Sequence, residues 1–157
     1  MNRWCYLDLR YYKYKLSADV VTDLTQYGIP VNAIDKCRQF QPPLSTAHFE
    51  LAANGTLTIR KDYAWDGPSG PTIDTDTFMR GSLVHDCLYQ MMRTGQFKLE
   101  FRSFADLALR KICEQDGMMK LRAWWVHKGV SWFGEKNARP SSTGDRPDET
   151  CLKIPLA

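Results

Sequence analysis

The residues best suited to chemistry lie between positions 62 and 106. His85 and Asp86 are adjacent, and Tyr89 follows four residues after the histidine. On a helix His85 and Tyr89 share a face, whereas Asp86 projects about 100° further round. An antiparallel second helix could bring Asp106 beside His85. A histidine held by a carboxylate is a competent general base, because the carboxylate fixes its tautomer and stabilises the imidazolium.

A turn-rich loop, WDGPSGP at residues 65–71, precedes this helix. With His85 held by Asp106, Asp86 is free to bind a hard cation. Calcium takes several oxygen ligands, and backbone carbonyls of a loop can complete the set begun by one carboxylate. The sequence therefore predicts a weak Ca²⁺ site at Asp86, with affinity in the millimolar range.

The same residues are compatible with a structural role. A buried His85 bonded to Asp106 would pin two helices together and would have the same sequence. Read alone, Asp106 is typical of an acid near a helix N-terminus, where the helix dipole stabilises it. We interpret His48 and His127 as structural or solvated.

The first two-fifths of the chain is predicted to be rich in β-structure. Asn54-Gly55 is the strongest signal, since a two-residue hairpin turn needs positive φ at both central positions. Strands are expected on either side, at 48–53 and 56–61. Upstream, the aromatic-rich residues 4–16 predict one strand, and residues 20–24 are compatible with a short strand or a helical turn.

Helical spacing follows, and we predict three helices. The first begins in the Asp-Thr run at 74–77 and ends at Gly95. The second begins after a serine cap at Ser103 and ends at Gly117. The third covers residues 118–133, with Trp124, Trp125 and Trp132; for these tryptophans, core packing is favoured over a membrane-facing surface.

The predicted fold class is α+β, with an N-terminal antiparallel sheet or hairpin packed against a C-terminal three-helix unit. We expect a single domain over residues 1–134, divided into a β-rich part (1–62), a loop (63–76) and helices (77–134). Residues 135–157 are predicted to form a flexible polar tail with an apolar end.

Composition narrows the function classes. The net charge of +3 is too small to imply nucleic-acid binding. There is no apolar run long enough to cross a bilayer and no secretory signal at the N-terminus. We therefore expect a protein that stays in the cytosol, is released by lysis or is carried in a larger particle. The five cysteines contain no C-x-x-C pair, which favours free thiols over a zinc site or disulfides.

The string His85-Asp86-Cys87-Leu88-Tyr89, followed by Ala105-Asp106, resembles the phospholipase A₂ superfamily, including the short capsid-embedded domains of parvoviruses. The resemblance implies that His85 activates water, Asp106 orients His85 and Tyr89 supports the pair. It also implies that Asp86 is the calcium carboxylate. The implied reaction is hydrolysis of a phospholipid ester, with calcium polarising the carbonyl.

That resemblance also implies which carbonyls would hold calcium, namely those of Trp65, Gly67 and Ser69 or Gly70. The disulfides of the secreted enzymes are absent, and the loop is poorer in glycine than theirs.

A second resemblance covers more of the chain. Small phage and bacterial proteins of unassigned function share a W-D-G-x-S-G-P-like loop, an L-V-H-D-x-L-Y helix, an A-D helix and a last helix ending near F-G. The chain has these at residues 65–71, 83–89, 105–106 and 133–134. This resemblance implies a phage or prophage origin, in the host cytoplasm or the virion, and no established activity.

Two function classes follow. One is a calcium-dependent lipid esterase acting at a phospholipid membrane. The other is a non-catalytic virion component, or a protein that binds a host or phage protein, in which the helix pair is a scaffold.

Overall fold

The structure is a computed structural model that describes residues 5–6, 14–29, 44–67 and 75–139. Within those ranges, two small antiparallel sheets precede three longer α-helices. This arrangement confirms the predicted α+β class, with the strands N-terminal and the helices C-terminal.

The first sheet has the strand order β1-β2-β7 and consists of β1 (Cys5–Tyr6), β2 (Tyr14–Lys15) and β7 (Ala64–Trp65). Tyr14 pairs with Tyr6 on one side and with Trp65 on the other, and both pairings are antiparallel. The prediction of one strand over residues 4–16 is therefore wrong, because its two ends pair with each other. Aromatic content marked the β-structure but could not show that the chain reverses.

The second sheet has the strand order β3-β6-β5-β4, and every pairing in it is antiparallel. Residues 20–24, left open between strand and turn, contain both. The strand β3 ends at Asp23, and a single 3₁₀ turn, Leu24–Tyr27, follows it. The strands are β3 (Val20–Asp23), β4 (Leu44–Ser45), β5 (Phe49–Leu51) and β6 (Thr56–Ile59).

The hairpin predicted at Asn54-Gly55 is confirmed, but its turn differs from the expected one. The Ala52 amide donates to the Thr56 carbonyl, and the Gly55 amide donates to the Ala52 carbonyl. Only Gly55 has a positive φ, +92°; Asn54 does not. The loop thus has three residues, a tight turn followed by a left-handed glycine. The Asn54 side chain stabilises it by accepting from the Thr56 amide at 3.0 Å.

The helices are α1 (Asp76–Arg93), α2 (Arg102–Gln115), α3 (Lys120–Phe133) and the short α4 (Glu135–Ala138). Ser103 is predicted from the sequence to cap α2, but it lies inside the helix. A 3₁₀ turn over Leu99–Phe101 leads directly into the helix, which moves the start upstream. In the described part of the chain, no helix is both long and apolar enough to cross a membrane.

The helical unit continues past Gly134, the residue before the predicted tail. Ala138 in α4 is fully buried, and Arg93 of α1 donates to the carbonyl of Asn137 at 2.9 Å. The amides of Asn137 and Ala138 both donate to the Gly134 carbonyl. Residues 140–157, the rest of the predicted tail, lie outside the described residues.

Helix α1 is the centre of the main core, which it shares with both sheets and with α2. Buried apolar side chains occur all round this helix, so it has no wide polar face. The core residues contributed by α1 include Leu83, Val84, Cys87, Leu88, Met91 and Met92, and those contributed by the sheets include Phe49, Leu51, Leu57, Ile59 and Trp65. A second, smaller cluster joins α1, α2 and α3 through Phe78, Leu109, Cys113, Met118, Ala123 and Val126.

The tryptophans of α3 are not in either core. Trp124, Trp125 and Trp132 are all exposed, and Leu121 and Phe133 are exposed with them. The prediction of core packing is therefore wrong. The helix buries the small residue Ala123 and the branched residue Val126 instead.

Helices α1 and α2 are in close contact at Gly81. A Cβ added there would lie 2.6 Å from the Cys113 sulfur and 3.1 Å from Cδ1 of Leu109. We expect Gly81→Ala to lower the free energy of unfolding by about 1–3 kcal/mol, because the tightly packed neighbours must move. Urea unfolding measures this loss.

Gly129→Ala is the matched control, since a Cβ at this helical position meets nothing within 4 Å. It should raise the free energy of unfolding by about 0.5–1 kcal/mol, through the better helix propensity of alanine. Equal effects of the two substitutions would contradict the close α1–α2 contact.

Candidate active site

The helix pair α1 and α2 brings together the histidine and the acid predicted to act together. Gly81 of α1 faces Cys113, whereas Tyr89, two turns later, bonds to Asp106. The helices therefore run antiparallel. This geometry places the His85 ring beside Asp106, as the sequence predicted.

Asp106 is the hub of the site and is only 1% exposed. Its Oδ1 lies 3.0 Å from Nε2 of His85 and accepts from the Tyr89 hydroxyl at 2.7 Å. Its Oδ2 accepts from Nη1 of Arg102 at 3.3 Å. Burying a carboxylate is costly unless it is paired and hydrogen-bonded, and three donors meet that requirement here. Asp106 is thus an internal acceptor rather than a helix N-terminal acid.

The hydrogen bond to Asp106 defines what His85 can do. A carboxylate only accepts, so Nε2 carries the hydrogen, and in the neutral ring Nδ1 keeps its lone pair. Nδ1 lies 3.7 Å from Oδ1 of Asp86, beyond direct hydrogen-bonding distance. Burial lowers the pKa of His85, but the bond to Asp106 and the charge of Asp86 outweigh it and raise the pKa above its usual value of 6.5. The result is an imidazole that readily accepts a proton at Nδ1.

Tyr89 supports this arrangement from one turn along α1. Its ring centroid lies 4.0 Å from that of His85. Burial, followed by the nearby Asp106 carboxylate, raises the pKa of Tyr89, so the hydroxyl stays protonated and donates. Gly134 leaves room for that hydroxyl, since a Cβ there would lie 2.4 Å from it.

Arg102 is a member of the site that the sequence analysis missed. One guanidinium nitrogen contacts Asp106 and donates to the Tyr89 oxygen at 3.4 Å. The guanidinium also donates to the carbonyls of Val130 and Ser131, each at 3.1 Å. It thereby ties the last turn of α3 to the buried carboxylate. The spacing of four between Arg102 and Asp106 on a helix was the signal that could have revealed the pair.

The structure describes some of the predicted metal ligands but not all of them. Trp65 belongs to β7 rather than to the loop; its indole N–H donates to the Ser82 hydroxyl at 3.3 Å, and its ring lies 5.5 Å from that of Tyr14. Ser82 and Asp86 are four residues apart on α1 and share a face. The Trp65 side chain therefore contacts α1 one helical turn before Asp86, and Gly70 lies outside the described residues.

Of the groups predicted to bind calcium, the structure describes Asp86, Trp65 and Gly67. Asp86 has a side chain 31% exposed, and the backbone turns at Gly67, whose φ is +74°. Across residues 5–6, 14–29, 44–67 and 75–139, no group of three or more His, Cys, Asp or Glu side chains could hold a metal ion. The described side chains therefore do not form a site with three such ligands, and the calcium site at Asp86, with one carboxylate and loop carbonyls, stays a prediction.

Burial shifts the pKa of two buried cysteines and of the two other histidines. Cys87 and Cys113 are free and buried, and burial raises the pKa of both thiols, that of Cys113 to about 12. They pack as small apolar groups, as predicted for the cysteines. His48 and His127 are half-buried, and burial lowers the pKa of both imidazoles.

No protein-family model, no curated protein and no solved structure matches the chain significantly. The two resemblances therefore remain predictions, and the functional argument depends on the geometry of the site.

We expect Asp106→Asn to lower the pKa of His85, because the substitution removes the hydrogen-bonded charge and leaves the burial. An NMR titration of the His85 ring in calcium-free buffer measures this. Asp116→Asn is the control, because Asp116 pairs with Arg80 at the other end of the helix pair. An unchanged His85 titration in Asp106→Asn would contradict the assignment.

The same substitution should change how stability depends on pH. The pKa of His85 in the folded protein lies above its unfolded value, so the charged pair stabilises the fold fully below about pH 6.5. This contribution is lost as pH rises through the folded pKa. Wild-type protein should lose part of its free energy of unfolding across that window, and Asp106→Asn should lose less.

Proposed function

We propose that the protein is a calcium-dependent esterase that hydrolyses phospholipids with water activated by His85. The observation that carries the proposal is the orientation of the imidazole. Nε2 is held by a buried carboxylate, and Nδ1 is left beside Asp86 with no direct hydrogen bond to it. A general base needs this arrangement, with one nitrogen fixed and the other able to take a proton.

In the proposed reaction, Nδ1 of His85 removes a proton from water as the water oxygen attacks the ester carbonyl carbon. Asp106 stabilises the imidazolium that forms. The imidazolium then returns the proton to the departing alkoxide, so that water is consumed and a fatty acid and a lysophospholipid are released. Tyr89 and Arg102 are positioning residues, because they hold the carboxylate that holds the base.

Calcium, bound by Asp86 and by the carbonyls of Trp65 at the end of β7 and of Gly67 and Gly70 in the loop, would polarise the ester carbonyl and stabilise its developing negative charge. Only oxygen ligands of this chain are needed for such a site. The partly exposed Asp86 carboxylate is adjacent in sequence to the base, so a metal bound by Asp86 and the activated water would be close neighbours.

A second candidate is a non-catalytic protein that uses the helix pair as a scaffold. The observation in its favour is the low exposure of the His85 side chain, 8%. In addition, Arg102 pairs with the same carboxylate, so Asp106 is already part of a structural ion pair. On this alternative the His85–Asp106 bond pins α1 to α2 in a virion component or a protein-binding protein. A phage origin fits both candidates and comes only from the second sequence resemblance.

Fatty-acid release from mixed phospholipid vesicles, in calcium and in chelator, distinguishes the two. We expect calcium-dependent release by wild-type protein and a loss of about 10²–10⁴-fold in His85→Gln, the usual contribution of a general base. His48→Gln is the matched control, because this half-buried histidine lies on the β-rich side of the chain, and it should retain activity. Circular dichroism verifies that each variant is folded.

Asp86→Asn separates the metal from the base. It should raise the calcium concentration needed for half-maximal release, since an amide oxygen is a weaker ligand than a carboxylate. Absence of release by folded wild-type protein at millimolar calcium would reject the esterase and favour the scaffold.

A further inference from the structure

The outward face of α3 is apolar, which is unusual for a helix at a protein surface. Leu121, Trp125 and Trp132 are 68%, 58% and 65% exposed. Together with Lys128 they occur at spacings of four, three and four residues, so they form one stripe along the helix. Ala123 and Val126, which pack on the core, lie on the opposite side. The stripe is therefore not the surface by which α3 packs on the rest of the protein.

Trp124 extends this stripe sideways. It contacts Trp125 edge to face, with ring centroids 5.0 Å apart, and the Lys128 ammonium lies 5.7 Å from its ring. Phe133, at the end of the helix, is also exposed, but it lies about 100° round the helix from Trp132 and outside the stripe. Contiguous apolar surface of this kind marks an interaction site. We call the surface formed by Leu121, Trp124, Trp125, Lys128 and Trp132 the tryptophan face.

The charge of the helix restricts what can cover the tryptophan face. Helix α3 contains Lys120, Arg122 and Lys128 and no acidic residue. Lys128 lies within the face itself. A second copy of the chain would bring like charges together, which opposes a symmetric dimer. An anionic surface is complementary to the helix.

The shape of the face distinguishes between anionic partners. Single-stranded nucleic acid is bound in basic grooves with aromatic platforms. Here the rings project from one convex helix, next to the aliphatic Leu121. Tryptophan, leucine and lysine on one helical face suit a lipid interface, where the rings lie at the headgroup level and the ammonium contacts phosphate.

We propose that the tryptophan face docks the protein on the surface of an anionic phospholipid bilayer, with α3 lying in the plane of the interface. The docking is a binding property that does not require hydrolysis. If the esterase proposed above is correct, docking also brings the substrate to the enzyme. The last turn of α3 is held by Arg102, the residue that contacts Asp106, so the docked helix is attached directly to the site.

The test is flotation of the full chain with phosphatidylcholine vesicles, with and without phosphatidylglycerol, in chelator so that hydrolysis does not interfere. Wild-type protein should float with the anionic vesicles. The double variant Trp125→Ser/Trp132→Ser should partition at least about tenfold more weakly, because it loses two large apolar groups. Lys128→Gln, which keeps the face apolar, should bind about fivefold more weakly, and added salt should weaken wild-type binding.

Two controls separate docking from other effects. Val21→Ser removes another exposed apolar side chain, 64% accessible on β3, and should float like wild type. His85→Gln should also float like wild type. Wild-type protein that floats but releases no fatty acid in millimolar calcium would reject the esterase and keep the docking surface.

Several results would overturn the docking proposal. In one such result, wild-type protein fails to float. In another, the double variant floats as well as wild type. Two further results would assign the face to another occupant: a wild-type dimer that the double variant dissociates, or oligonucleotide binding in place of vesicle binding that the double variant loses.

Discussion

The buried carboxylate of Asp106 is the constraint on which the arrangement of the helices depends. A carboxylate that is 1% exposed must be surrounded by donors, and its three donors come from two helices. His85 and Tyr89 reach it from α1, and Arg102 reaches it from its own helix, α2. Removing any one of these donors leaves part of a buried charge uncompensated. The free energy of folding lost in this way is larger than the loss of a hydrogen bond at the surface. The helix crossing and the imidazole orientation therefore have the same cause.

Hydrogen bonds also connect the helix pair to the first sheet and to α3. Trp65 of β7 bonds to Ser82, one turn before Asp86, so the first sheet fixes where the loop begins. Arg102 bonds to the last turn of α3, so the tryptophan face is fixed relative to the same carboxylate. The proposed base and the proposed docking face are thus both joined to one hydrogen-bonded hub, and the proposed metal loop is joined to α1 through Trp65.

The sequence predicted the α+β class, the three helices and the proximity of His85 to Asp106, because periodicity and helical spacing are local signals. It did not predict Arg102, since the partners of a long side chain depend on tertiary packing. It also placed the tryptophans of α3 in the core. Hydrophobicity alone cannot show which apolar face of a helix is buried, and here the small residue Ala123 packs inward. The reversal between β1 and β2 was missed for a similar reason, because pairing is non-local.

The central claim is that Asp106 holds the hydrogen on Nε2 of His85 and leaves Nδ1 as the base. The most direct measurement is ¹⁵N NMR of the His85 ring in calcium-free buffer, at a pH above its raised pKa. The account predicts a protonated Nε2 and an unprotonated Nδ1. A hydrogen on Nδ1, with Nε2 acting as the acceptor, would contradict it, because the nitrogen facing Asp86 could not then remove a proton from water.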